Sequence, residues 1–327
     1  MRRGTTIALI IGLAAMAGAV VYAGIGAVGR AVATLHIGGL AVLVLLHVPM
    51  VVLMGIAWWL AAGDDPPASQ MRFVWARFVR DAAGELLPTL QFGGVVFGLR
   101  ALGRGGVITL GAVSASIDGI VELAAKVPYV LAALLILVAF APGQRLVHLL
   151  LLALCITALA VALLVFARRR LGASLQAIAR AISTRWPSVL PLRDLSGRDV
   201  QASFERILRQ RGRLWSAFAA HLCCWCLGAV EVWVTFHLLG VDLTAWQALA
   251  IDGTVAALRT FALMVPAAAG VQEASYLLAA AVFGIPPAAA IAASFARRAR
   301  DLVLGTAVLG IAATSDANSA LLTHPRR

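Results

Sequence analysis

Charge is what this sequence has least of. Asp, Glu, Lys and Arg together make up 13% of its 327 residues, while 61% are hydrophobic. Soluble domains carry about 25% charged residues, so the composition excludes an ordinary soluble enzyme or binding module. Cysteine is also scarce: four are too few for a disulfide framework. Short alternating apolar and polar segments are missing, which excludes a β-barrel. No HExxH, GxSxG or Walker A motif occurs, nor a Rossmann fingerprint. No nucleophile–base pair can therefore be named, a non-enzyme is expected, and no cofactor is implied. Cys223, Cys224 and Cys226 follow His221, but those spacings do not converge on one helix face. They read as small packing residues, and no metal is expected.

What the chain does have is long apolar runs, several of them near the ~20 residues a spanning helix needs. A helix satisfies its own backbone in lipid. The expected fold is all-α, a polytopic transmembrane bundle of about six to eight crossings. We treat 1–327 as a single membrane domain: a first half, 1–166, a basic loop, 167–213, and a second half, 214–327. Spans are expected at about 6–26, 37–60, 146–166, 214–239 and 246–264, with a last helix at 287–312. Pro128 should divide the long apolar stretch 107–140. The apolar run after Arg2 and Arg3 resembles a signal peptide, but an uncleaved first span is simpler in a polytopic chain.

The net charge of +12 has a location. In residues 167–213, eleven arginines face only Asp194, Asp199 and Glu205. The positive-inside rule accounts for this loop without nucleic acid. It places the loop and both termini in the cytoplasm and the protein in the inner (cytoplasmic) membrane. Two segments look amphipathic. Met71, Val74, Trp75, Phe78 and Val79 form a stripe over 70–83, and Val200, Phe204, Ile207 and Leu208 form another. Both are expected to lie in the interface, or on the bundle surface.

Two segments carry the functional argument. "GELLPTLQFGGVVFGLRALGRGGV", from Gly84, and "MVPAAAGVQEASYLLAAAVFGIPP", from Met264, are apolar but interrupted. Each holds a proline, then glycine, then an apolar run of half-span length, together with a Glu and a Gln. Interrupted segments in both halves of a membrane protein point to a transport site, and they either cross or re-enter. Close packing alone would also favour glycine there. Ionisable residues lie beside both. Asp118 and Glu122 share a helix face. Asp252 and Arg259 are two turns apart, and Arg297, Arg298, Arg300 and Asp301 interrupt the last helix. A charge at the bilayer centre costs at least ~2.5–3.5 kcal/mol, so these groups must pair or line a wet cavity. Glu231 is expected to hydrogen-bond inside the bundle.

The stretches "GELLPTLQFGG", "ASIDGIVELAAK", "LGAVEVWVTFHLLG" and "VPAAAGVQEASYLLAAAVFGIPPAAAIAASFARRARDL" together resemble the lysylphosphatidylglycerol synthase transmembrane-region, or flippase-like, superfamily. Within it, the resemblance is closest to the HpnL group of hopanoid-associated membrane proteins, and it spans about residues 70–312. It implies a multi-span bundle linked to flipping of an aminoacylated phospholipid. The full synthase adds a soluble aminoacyl-transferase domain, which is not expected in a chain ending at Arg327. The marked blocks contain Glu85, Gly93, Gly94, Asp118, Gln272, Glu273, Arg297 and Arg298. With Glu122, Arg259 and Asp301 these form the candidate lipid or head-group site. Val95 stands where an acidic residue commonly follows the paired glycines. "AAAG" is less glycine-rich than usual, which predicts a gentle break.

The leading expectation is a lipid translocase whose partner is a membrane lipid: a phospholipid, a polyprenyl phosphate or a hopanoid. The alternatives are an accessory protein that holds hopanoid or envelope-lipid biosynthesis enzymes, and an intramembrane lipid-modifying transferase.

Overall fold

The computed structural model describes residues 3–87, 92–103, 106–140, 145–166, 197–262, 265 and 268–323. Pro88, Pro266, stretch 167–196 of the basic loop and Arg326–Arg327 lie outside the described residues. Those described form eleven α-helices and no strand. In chain order they are α1 (Arg3–Ala23), α2 (Ile25–Leu60), α3 (Gln70–Leu86), α4 (Phe92–Leu102), α5 (Gly106–Phe140) and α6 (Arg145–Phe166). Then come α7 (Gly197–Arg209), α8 (Arg211–Leu238), α9 (Ala245–Arg259), α10 (Val271–Val282) and α11 (Pro287–Thr323). Within α2, α5 and α8, the segments Ile25–Leu60, Leu110–Phe140 and Arg211–Leu238 are long and apolar enough to cross a membrane. The chain is an all-α helical membrane protein.

Two of the proline and glycine expectations need correction. α5 runs through Pro128 without dividing, as α2 runs through Pro49. Each proline removes one backbone donor, a loss that transmembrane helices accommodate through neighbouring helices and local adjustment. α2 breaks instead at His36, whose φ of 49° and ψ of 171° leave the helical region. The second half's interruption is sharp, not gentle. Ala268 (φ 47°) and Gly270 (φ 77°) both turn left-handed just before α10. The link before α9 closes differently: Thr244 Oγ1 accepts the Gln247 N–H at 3.3 Å, and Gln247 Oε1 accepts the Thr244 N–H at 2.9 Å. That reciprocal cap starts α9.

α3 is helical where the apolar stripe placed it, and of the two expectations it meets the packed one, burying more than that stripe. Val74 and Val79 are buried, and so are Phe73, Ala76 and Arg77 on another side. α3 inserts between α2, α4 and α11. α7 also packs on the bundle: Val200, Phe204 and Ile207 join Ala61, Val113 and Ile117 in one cluster.

Close approach at α3 depends on glycine. A Cβ on Gly55 would lie 2.5 Å from the Val74 Cα, so α2 and α3 touch backbone to backbone. Gly55→Ala is expected to lose about 1–3 kcal/mol, the usual cost of overpacking. Thermal unfolding in detergent, with Gly29→Ala as control, checks this, since nothing lies within 4 Å of a Cβ at Gly29. Gly94 and Gly98 do the same for α4. Cβ atoms there would meet the Arg80 carbonyl and Gly84, and the Ala76 carbonyl and Arg80. The small-xxx-small spacing lets α4 fold back along α3 as a helical hairpin. α9 and α10 form the second hairpin: Ile251 and Val255 pack with Tyr276, Ala279 and Ala280. α4 and α10, with 11 and 12 residues, reach ~16 and ~18 Å at 1.5 Å per residue. Each covers about half of a ~30 Å hydrocarbon core.

Apolar cores hold each half. Trp58, Phe73, Leu99, Leu102 and Ile108 pack one, and Phe236, Ile251, Val255 and Tyr276 another. The charged residues collect between them.

Candidate functional site

The site begins where the hairpin tips meet. Arg259 ends α9. Its guanidinium donates through Nη2 to Glu85 Oε1 at 2.6 Å and through Nη1 to Gln272 Oε1 at 2.8 Å. Glu85 sits at the end of α3 and Gln272 at the start of α10. One arginine therefore ties both interrupted segments together, across 174 residues of sequence in the case of Glu85.

α10 is anchored from beneath. Glu273 is fully buried. Its Oε2 accepts the Gly270 N–H at 2.9 Å and its Oε1 accepts the Ser294 hydroxyl at 3.0 Å. Arg298 donates to both of its oxygens, at 2.6 and 3.1 Å. Gln272 Nε2 meanwhile donates to Ser294 Oγ and to its carbonyl, at 3.0 and 3.2 Å. The carboxylate thus caps the helix that follows the left-handed turn, and α11 supplies its counter-charge.

The other charges pair across helices as well. Arg297 reaches Asp252 at 3.2 Å, and Tyr129 donates to the same carboxylate at 2.8 Å. Arg300 is held by Glu231 and by Asp301, the latter at 2.6 Å, while His47 lies 3.2 Å from Glu231. From α3, Arg77 meets Asp81, Asp118 and Glu122 at 3.0, 3.5 and 3.2 Å. Arg80 meets Asp118 at 3.2 Å. Asp118 and Glu122 therefore do present one face of α5, and α3 is what they face. Asp252 and Arg259, two turns apart on α9, go to different partners.

These groups surround a cavity of about 260 Å³. Among the candidate residues, Glu85, Glu122, Arg259, Arg297 and Asp301 line it. Asp118, Gln272 and Glu273 are buried and hold the lining residues or α10 in place. Arg298 is spent on Glu273. Gly94 lies in the α3–α4 seam rather than on the wall, and Gly93 begins α4 beside it. The sequence reading did not place His47, Arg77, Arg80, Asp81 or Arg300 in the site, yet all five line the cavity. A signal existed for three of them: Arg300 stands among the charges that interrupt the last helix, though outside the expected site. Arg77 and Arg80 are three apart and so share a helix side, but an amphipathic stripe made that side look solvated.

Asp118, Glu122 and His221 bring three ligand atoms within 4.8 Å of one another. His221 Nε2 lies 2.9 Å from Asp118 Oδ1. The set does not fit a metal well, because Arg77 and Arg80 already bind the same carboxylates. A divalent ion would have to displace two guanidiniums. The geometry is that of a charge network.

The arrangement can hold a polar group inside an apolar bundle, on a wall of both signs. Among known families, the lysylphosphatidylglycerol synthase TM region matches residues 9–308. This chain belongs to that family. Membership extends beyond the marked blocks to α1 and most of α11, so the two hairpins and the cavity lie wholly within the family's domain. It fits a role connected with membrane lipid. No curated protein and no solved structure gives a significant match to the chain.

Proposed function

We propose that this protein is a lipid translocase of the inner membrane, close to the HpnL group, and not an enzyme. The lipid head group passes through the cavity that α2, α3, α5 and α11 line and that Arg259 borders, while its chains stay in the bilayer. Both termini and the basic loop are cytoplasmic. The observation that carries this reading is Arg259, which stands on the cavity wall and binds the tips of both hairpins. Rocking of one half against the other would open the cavity to alternate sides by changing those bonds. A guanidinium presents several donors to phosphate oxygens, and the carboxylates beside it suit a cationic group. The lipid is therefore a phospholipid or a polyprenyl phosphate of hopanoid or envelope-lipid metabolism, because a hopanoid hydrocarbon needs no arginine.

Glu273 and Arg298 hold each other, so they test folding more than passage. Arg259→Gln is the sharper variant. Liposomes carrying a fluorescent phospholipid are treated with dithionite, which bleaches only exposed label. Wild type is expected to expose the inner pool, and Arg259→Gln to slow this by about 10–100-fold, as loss of one charge-assisted hydrogen bond predicts. A folded wild type that scrambles neither a phospholipid nor a polyprenyl phosphate would defeat the proposal and favour the accessory role. Turnover of lipid by purified protein would favour a transferase.

A further inference from the structure

Lys126 stands apart from the arginines of the charge network. It is the only lysine among the chain's 27 basic residues, and it lies near the middle of the apolar stretch Leu110–Phe140. Arg77, Arg80, Arg259, Arg297 and Arg300 each have a carboxylate in salt-bridge contact, and Arg298 has Glu273. Among the described residues, no carboxylate makes such a contact with Lys126. The acids nearest in the network are engaged: Glu122 by Arg77, and Asp252 by Tyr129 and Arg297.

Its actual contacts are weak. The Lys126 ammonium is 4.9 Å from the ring centre of Trp225 on α8, and 3.4 Å from Thr260 Oγ1 at the tip of the second hairpin. The Thr260 hydroxyl itself donates to the Ala256 carbonyl. Trp225 Nε1 is buried and has no acceptor among the described residues. Its ring is fixed by stacking on Tyr129, with centroids 5.9 Å apart. An ammonium carries three N–H donors and an indole one. Around this point, donors outnumber acceptors, and Lys126, Trp225 and Thr260 are all only partly buried. Burying donors unpaired is costly, and a cation at this depth needs a counter-charge. An anionic oxygen meets both needs. Thr260 adjoins Arg259, so the place lies directly beside the wall of the cavity.

We infer that Lys126 and the Trp225 indole N–H form a binding site for a phosphate oxygen of an anionic lipid, beside the second hairpin tip. The inference rests on the translocase reading for its meaning, since the site would hold the phosphate next to the cavity. Its test does not require transport.

Purified full-length protein in detergent is titrated with dioctanoyl phosphatidylglycerol, and bound lipid is read by native mass spectrometry. Dioctanoylglycerol serves as the phosphate-free control and inorganic phosphate as competitor. Lys126→Gln is expected to weaken phosphatidylglycerol binding at least about tenfold, the scale of one charge-assisted hydrogen bond. Lys126→Arg should restore it to within a few-fold, and Trp225→Phe, which keeps a ring but drops the N–H, should weaken it several-fold. Equal binding by Lys126→Gln and wild type would overturn the site, as would equal binding of dioctanoylglycerol. Competition by inorganic phosphate at the lipid's own concentration would overturn the lipid assignment in favour of the free anion. If Lys126→Gln does not fold, unchanged affinity in Trp225→Phe overturns the proposal instead. Loss of scrambling with Lys126-dependent binding intact would sink the translocase reading alone.

Discussion

Arg300→Met should fail to give a stably folded protein. Arg300 is almost fully buried and neutralises two carboxylates, Glu231 on α8 and Asp301 beside it. Methionine is shorter but of similar volume, so the change removes charge without leaving a large void. It strands Glu231 and Asp301 with only His47 near the former. Breaking a buried pair costs about 3–5 kcal/mol, and here one arginine serves two acids. A typical domain has ~5–15 kcal/mol in total. The expected readout is aggregation on size-exclusion chromatography in detergent, where wild type gives one peak. Arg300→Met with Glu231→Gln and Asp301→Asn should recover a folded peak, because neutral amides need no counter-charge. A monodisperse single variant with wild-type thermal stability would mean that water or lipid already neutralises both acids.

The second large effect is expected at Arg298. Arg298→Leu leaves Glu273 fully buried without its bidentate partner, again a loss of about 3–5 kcal/mol. The informative comparison is Glu273→Gln in the same background. Its amide oxygen can still accept the Gly270 N–H, and its NH2 can donate to Ser294 Oγ, so the cap of α10 survives while the charge goes. The double variant should regain most of the stability in a thermal melt. Glu273→Leu in that background should not, because it orphans the Gly270 N–H and releases the turn at Ala268 and Gly270. Equal melts for the two double variants would show that the counter-charge matters and the cap does not.

How much of this was legible depends on the range of the interaction. The apolar runs predicted α2, α6, α8 and α11 within a few residues at most ends, although α2 begins at Ile25 rather than near 37 and α11 extends to Thr323. The interruptions at 84–107 and 264–287 are real, with half-length helices following each. Asp118 and Glu122 share a face because helix periodicity is local, and Asp301 does take an arginine, its neighbour Arg300. What remained hidden was partner choice between distant elements. No local pattern joins Arg259 to Glu85 or Arg298 to Glu273. α3 misled for a related reason. Its arginines look like a solvated face until α5 supplies carboxylates to meet them, and the burial of Phe73 depends on Trp58, whose ring it meets edge-on. Pro128 misled because the cost of proline in a helix is lower where other helices surround it.

The pairing of arginines with carboxylates also bears on membrane voltage. A unit charge carried fully across a 100 mV potential exchanges ~2.3 kcal/mol with the field. Arg297 with Asp252 and Arg298 with Glu273 each join helices of the second half, so a motion that keeps those contacts carries almost no net charge. Arg259 with Glu85 is different, because its members belong to opposite halves. If the halves part there, two opposite charges shift separately along the field. Any voltage dependence of opening would then draw on that bond and on the Lys126 cation, and would fall when both members of the bond are made neutral.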